Sequence, residues 1–591
     1  MKQNTAGDSF AASPDHPAAS ANPPSVAEAY LNLLKARGID FLYLGAGSDT
    51  APLVEAYARR EPANQIFPQP VIVSHENLAV GMAHGYFMVT GRPQAVMLHV
   101  NVGAANAVCG LLNAARSHVP MLFTAGRTPL FEEGELGSRD REIHWAQEMF
   151  DQAAMVREIV KWDYELRDGI NLEQVVDRAL SISLTAPCGP VYLTLPREVL
   201  ARPATQLDFG AASPTPTAAF PDPAAVARLA DVLAGAEFPV IACTGSGADV
   251  ETVELVAQLC DRFDIGVVEA RSRYMSVPAS HPLHLGYDIA PILQQADAVL
   301  FLESDVPWVP AKTQPSTTAF IAHAGIDPLF ARYPMRSFRS DLSITASVQS
   351  LLSALIAALE QSRDAEKSTG GAGASRRARL YAAAKETRSR AKSIAAEDEI
   401  RGGPISKIFL SRCLDRVRPP EAIVVNEYSA RRDQLLFEMP GTYFGVPPSA
   451  GLGWGFPAAL GAKQAAPDRT VIAVLGDGAY LLAIPGCCHH AAARHGLPVL
   501  IVVFNNQRWD AVSNCTAEMY PASHTSRVIA RDGFSPLSDL NPVPNFECYS
   551  EASGGYGERV TERSQLLPAL ERAMKVVRQE KRQALLNVIG S

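Results

Sequence analysis

The sequence is short of the features that would place it in several broad classes. Among its 591 residues no apolar run is long enough to cross a bilayer, so a membrane-embedded protein is not expected. Lys and Arg form no basic run and the formal net charge is −9, which argues against a nucleic-acid partner. Cysteine is sparse. The nine residues show no CxxC spacing, and Cys487 and Cys488 are neighbours on a predicted helix. They read as buried thiols of a cytoplasmic, reducing compartment rather than as a disulfide frame. The N-terminus has no basic segment followed by an apolar core, so Met1 to Pro24, rich in Ala, Ser, Pro and Asn, reads as a disordered tail and not as a signal peptide. No short repeat is present.

What remains is a chain with 47% hydrophobic residues, enough to bury the cores of several α/β domains. The expected fold class is α/β, with three doubly wound parallel-sheet domains. The first, residues 25–203, alternates apolar strands (Phe41 to Leu44, Ala95 to Leu98, Met121 to Thr124, Val191 to Leu195) with helical stretches. A Pro/Ala/Thr-rich connector, Ala211 to Pro223, leads into a central domain over residues 224–359. Residues 361–396 read as a partly helical linker, and a third domain occupies residues 404–591.

The third domain carries the most specific signal. Gly476-Asp477-Gly478 ends the β-branched run Thr470 to Leu475, and Asn505-Asn506 ends the run Pro498 to Phe504, with a helical pattern from Tyr480 to His495 between them. A right-handed strand–helix–strand crossover puts both strand ends on one edge of a parallel sheet, where ligands of open α/β sheets sit. Asp477 and Asn506 then offer oxygen ligands to one hard cation, and the glycine amides are free to approach a phosphate. Upstream, Ser74-His75-Glu76-Asn77 stands between an apolar strand and a helix, and Ser449 to Ala462 (SAGLGWGFPAALGA) is a glycine-rich entry to another helix.

The three motifs together resemble the thiamine-diphosphate-dependent enzymes of the pyruvate decarboxylase and acetolactate synthase type, whose cofactor-anchoring motif is GDG followed by NN. The resemblance implies thiamine diphosphate and Mg²⁺ as cofactors, and pyrimidine-binding, central and diphosphate-binding domains in that order. The metal ligands it implies are Asp477, Asn506 and the Arg508 carbonyl. Gly476, Gly478, Ala479 and Asn505 would line the diphosphate, Leu452 would prop the bent cofactor, and Ala450 with Gly451 and Gly453 would approach its aminopyrimidine. Glu76 would hydrogen-bond N1′ of that ring and drive loss of the C2 proton, work that suits a carboxyl group in an apolar site. In the family the cofactor bridges two subunits, so a homodimer or homotetramer with active sites between subunits is implied.

Within the family the first domain looks most like benzoylformate decarboxylase. Leu98-His99 followed by Gly103-Ala104-Ala105-Asn106-Ala107, and Gly47-Ser48 closing on Pro52, match its histidine and serine loops. By that resemblance His99 moves a proton at the reacting centre, Ser48 holds the substrate carboxylate or carbonyl, and Trp509, Ala511 and Cys515 line the substrate pocket. The segment Glu303 to Lys312 has no second histidine, with Trp308 or Pro310 near its place. The expected activity is decarboxylation of a small 2-oxo acid. Capture of the enamine by an aldehyde or ketone acceptor, as in acetolactate synthase, is the alternative, and a cofactor-binding relative without significant activity is a third reading. In the central domain Gly245-Ser246-Gly247 is an incomplete GxGxxG, because position 250 is Val; with Asp327 it reads as the vestige of a flavin or nucleotide site.

Overall fold

The computed structural model describes residues 23–59, 67–366 and 373–591. The N-terminal tail expected over the first 24 residues lies almost wholly outside them. Three parallel sheets follow one another along the chain. The first is built from β1 (Phe41–Gly45), β2 (Gln69–Val73), β3 (Ala95–Leu98), β4 (Met121–Arg127), β5 (Asp163–Glu165) and β6 (Pro190–Pro196), in the order β2-β1-β3-β4-β6-β5. The second contains β7 (Pro239–Cys243), β8 (Gly266–Val268), β9 (Ala298–Leu302), β10 (Phe320–Gly325) and β11 (Leu342–Thr345), ordered β11-β10-β9-β7-β8. The third holds β12 (Ile423–Glu427), β13 (Tyr443–Gly445), β14 (Val471–Gly476), β15 (Leu500–Asn505), β16 (Tyr556–Val560) and β17 (Ala584–Ile589), ordered β13-β12-β14-β15-β17-β16. The inner strands are buried on both faces, as parallel strands covered by helices must be, and they read as continuous Val/Ile/Leu runs for that reason.

Two local expectations change. The pattern from Tyr480 to His495 forms two helices, Asp477–Leu482 and Pro485–Arg494, because Ile484 turns left-handed at φ 55° and Pro485 can begin a helix but not continue one. Much of the stretch read as a linker is regular. The helix Val348–Glu366 runs into it, and Gly373–Arg401 is one long helix that lays Leu380 and Ala384 into the core of the central sheet.

The first and third sheets share one hydrophobic core and each has a second core on its other face, whereas the central sheet's main core is its own, with Val253 and Met275 reaching into the second core of the third sheet. The shared core is centred on two crossing helices, Glu76–Thr90 and Gly455–Ala465. They approach so closely that a side chain at Gly81 would strike Pro457, one at Gly85 the Ala458 carbonyl, and one at Gly461 the Met82 carbonyl. Small residues permit backbone-to-backbone contact here, and this crossing joins the helix that begins at Glu76 to the helix that follows the glycine-rich loop.

Candidate active site

At the carboxyl edge of the third sheet, β14 and β15 are neighbours with Gly476 opposite Phe504, so the GDG and NN turns lie side by side. Asp477 is buried, at 3% exposure. Its Oδ1 accepts the Gly478 N–H (2.8 Å) and its Oδ2 the Gln507 N–H (2.6 Å), so one carboxylate joins the two turns. Burial pushes its pKa upward. Asn505 is structural: it donates to Asn587 Oδ1 (3.0 Å) and accepts from the Gln507 N–H (3.2 Å). Asn506 is half-buried beside it, and the Arg508 carbonyl accepts the Asp510 N–H at 3.0 Å, leaving a second lone pair.

These donors are the hard oxygens that Mg²⁺ or Ca²⁺ prefers, and only one is charged. Among the described residues no group of three or more His, Cys, Asp and Glu could hold a metal. The donor set therefore fits a cation whose charge is met largely by a bound diphosphate. Trp509 lies over Gly478 so closely that any side chain there would enter its ring. Ala511 and Cys515 stand exposed on the helix Asp510–Met519; Gly476 is half-buried, and Gly478 and Ala479 are buried.

The glycine-rich loop is held from beneath by a residue that sequence reasoning missed. Glu427, fully buried at the end of β12, accepts the Gly453 N–H (2.8 Å) and the Gly455 N–H (2.7 Å). Burial pushes its carboxyl up to about 7. Its signal was available: an acid closing the apolar run Ile423–Glu427. Ala450 is left-handed at φ 52°, and Gly453, at φ 87°, faces the Leu482 carbonyl where no side chain fits. Leu452 is half-buried against the shared core. Asn113, also unforeseen, clasps the loop: it donates to the Gly451 carbonyl (2.8 Å) and accepts from the Gly451 N–H (3.0 Å) and the Ser449 hydroxyl (2.7 Å).

On the first sheet Glu76 opens its helix, where the helix dipole favours a carboxylate. Asn106 donates to Glu76 Oε2 at 3.1 Å, and Asn77 accepts the Gly110 N–H at 2.7 Å. In one chain Glu76 is half-buried among polar neighbours rather than sealed in an apolar pocket. The helix Val108–Arg116 thus touches the Glu76 turn through Gly110 and the glycine-rich loop through Asn113, placing both cofactor motifs on one scaffold.

His99 follows β3 and finds a partner that the motif did not announce. Its Nδ1 lies 2.5 Å from Asp49 Oδ1, and Asp49 Oδ2 accepts the Val100 N–H at 3.3 Å. Asp49 is 3% exposed and fits because Gly47 and Gly126 carry no side chains, since a Cβ at either would overlap its carboxylate. The hydrogen bond to Asp49 raises the His99 pKa against the opposing effect of burial, and the charges of Asp49 and Glu76 act in the same direction. Ser48 is exposed on the short turn Ser48–Thr50, next to this pair in sequence.

A His whose folded pKa lies above 6.5 adds stability that is fully present below pH 6.5 and is lost as pH rises through the folded value. Asp49→Asn is expected to shift the His99 titration, followed by the NMR signal of its ring Cε1–H, to lower pH and to remove this contribution. An unshifted titration would show that Asp49 does not set the state of His99.

Two family descriptions match this chain: the thiamine pyrophosphate enzyme N-terminal TPP-binding domain over residues 24–155, and the C-terminal TPP-binding domain over residues 429–588. The chain carries both and belongs to the thiamine-diphosphate-dependent enzymes, among relatives that are decarboxylases and carboligases. It is 27% identical to benzoylformate decarboxylase of Pseudomonas aeruginosa, over 83% of this chain and 87% of that one. It is 26% identical to sulfoacetaldehyde acetyltransferase of Rhodobacter capsulatus, over 82% of each. It is 23% identical to the acetolactate synthase isozyme 3 large subunit of Escherichia coli, over 86% of each. Its fold is that of the thiamine diphosphate-dependent 4-hydroxybenzoylformate decarboxylase of Rhodococcus jostii, with a TM-score of 0.75 at 22% identity, over 96% of this chain and 99% of that chain.

Proposed function

We propose that this chain is a Mg²⁺-dependent 2-oxo acid decarboxylase of the benzoylformate decarboxylase type, releasing an aldehyde. The observation that carries the reading is the His99–Asp49 pair, beside the charge of Glu76: it keeps a proton donor in place where a decarboxylated substrate needs one. The electron sink for loss of CO2 is supplied by thiamine diphosphate when bound. Asp477, Asn506 and the Arg508 carbonyl would hold the cation. Gly476, Gly478, Ala479 and Asn505 shape the diphosphate turn, Leu452 with Ala450, Gly451 and Gly453 shapes the ring site, and Glu427 fixes that loop from below. Glu76 would exchange a proton with the aminopyrimidine ring, His99 would deliver one to the product carbon, and Ser48 would hold the substrate carboxylate. Trp509, Ala511 and Cys515 form the side of the site open to substrate.

The residue ranges 25–203, 224–359 and 404–591 serve in this reading as pyrimidine-binding, central and diphosphate-binding domains. The exposed apolar side chains Leu136, Trp145 and Phe150 support a homodimer or homotetramer in which a second subunit covers the first domain. Nine free cysteines favour a reducing, cytoplasmic setting. No helix of the described residues is long and apolar enough to cross a membrane.

A second reading, carboligation, is favoured by one finding. Trp308, which stands where a second histidine was sought, is buried in the central core against Phe301 and Phe338, and Pro310 is exposed. His99 is then the one imidazole assigned to protonation, and slower protonation leaves time for a second carbonyl. Product analysis by NMR separates the two. With thiamine diphosphate, Mg²⁺ and benzoylformate or pyruvate, free benzaldehyde or acetaldehyde is the expected main product. A hydroxy ketone or acetolactate in its place would move the enzyme to the carboligases.

A further inference from the structure

A cleft of about 360 Å³ lies between the central sheet and the third sheet, and none of the GDG or NN residues lines it. Its walls include Tyr287, Tyr428, Tyr443, Pro447 and Pro448, and its floor carries Arg273. Arg273 is 8% exposed, yet among the described residues it has no ion-pair partner. Its Nε has no hydrogen-bond acceptor, and its one side-chain hydrogen bond is a long one from Nη1 to the Arg116 carbonyl (3.4 Å). A buried cation left in this state is costly unless an anion completes it.

The other charges in the cleft leave that need unmet. Arg432 is paired with Glu269 at 2.6 Å, and Glu269 also meets His284 at 3.4 Å. The Asp305 carboxylate accepts from the Tyr333 hydroxyl at 3.1 Å. Arg271 stands exposed at the rim. Three guanidinium groups therefore face two carboxylates, and one positive charge is uncompensated. Glu303 lies near Arg273, but its carboxylate accepts the Ile326 N–H (2.8 Å) and burial raises its pKa, with the Arg273 charge opposing.

The glycine motif of the central domain belongs to this arrangement. A Cβ on Gly245 would come within 2.5 Å of Arg273 Nη2, so the missing side chain is what admits the guanidinium. Gly247 faces the Met275 carbonyl, which closes the turn that a dinucleotide pyrophosphate would need. The motif seats an arginine.

We propose that this cleft binds a small organic anion, a carboxylate or phosphate ester, whose charged group pairs with Arg273 and whose body rests against the tyrosines and prolines. The size of the cleft and its mix of apolar walls with one convergent charge fit such a ligand. The test uses the full-length enzyme saturated with thiamine diphosphate and Mg²⁺, so that the diphosphate turns are filled, and titrates it calorimetrically with benzoate, phenyl phosphate and benzamide. At least one of the two anions is expected to bind, with neutral benzamide at least tenfold weaker. Arg273→Met and Gly245→Ala should each weaken that anion at least tenfold. Failure of both anions to bind, equal binding of benzamide, or undiminished binding by folded Arg273→Met, which would place the anion at the catalytic centre, would each overturn the assignment. If the variants do not fold, steady-state kinetics of the unaltered enzyme decide the case: no competition between the bound anion and the 2-oxo acid is expected, and competitive inhibition with a constant equal to the calorimetric Kd would place the anion at the catalytic centre and overturn the assignment.

Discussion

Glu76→Gln is expected to lower kcat by about 10²- to 10⁴-fold, the usual range for loss of a positioned acid–base group. The substitution keeps the size of the side chain and an oxygen that can accept from Asn106, and it removes the negative charge and the ability to exchange a proton. Because Glu76 stands at a helix N-terminus, loss of its charge should cost only about 0.3–1 kcal/mol of stability. The effect should thus appear in turnover with little change in melting temperature and little change in cofactor affinity. Hydrogen–deuterium exchange at C2 of bound thiamine diphosphate, read by rapid quench and NMR, locates the defect. Slowed exchange supports proton transfer through Glu76, and unchanged exchange with full turnover would remove Glu76 from the mechanism.

The second large effect is expected at Asp477. In Asp477→Asn one oxygen can still accept from Gly478 or Gln507, but the other position becomes an NH₂ group that confronts a backbone N–H, and the charge that would face a divalent cation is gone. Charge-assisted hydrogen bonds are worth about 1.5–3 kcal/mol each. The apparent Kd for thiamine diphosphate in the presence of Mg²⁺ should therefore rise by roughly ten- to a hundredfold or more. Titration of cofactor by quenching of tryptophan fluorescence is a direct readout, because Trp509 lies on Gly478 beside this carboxylate. Unaltered affinity in the variant would show that the cation is held elsewhere.

Strand ends in this chain were legible because they are punctuated. Ala95–Leu98 matches the sequence reading at both ends, and the GDG and NN turns fall where apolar runs stop. The short edge strands β5, β8 and β13, of three residues each, carry too little periodicity to be seen without their partners. The residues that support the site were hidden for a different reason. Asp49 belonged to no motif, and only Gly47 and Gly126, brought next to it by β1 and β4, reveal that it is buried against His99. Asn113 acts on backbone groups far away in sequence, which leaves no local pattern, and Glu427 shows locally only as an acid closing an apolar run. Motifs showed where the cofactor would touch; the groups that steady those motifs required the fold.

The crossing of Glu76–Thr90 over Gly455–Ala465 has a consequence for how such a chain can change over time. Topologically there are three sheets, but in packing the outer two form one body, joined where a single added methyl at Gly81, Gly85 or Gly461 would wedge them apart. Overpacking of this kind costs about 1–3 kcal/mol, and here it would also shift the first sheet against the third. Drift on one helix has to be answered on the other, so the two outer regions are bound to vary together. The central sheet keeps most of its interior to itself, meeting the third sheet's core through Val253 and Met275, and is freer to exchange the remaining interior residues one by one.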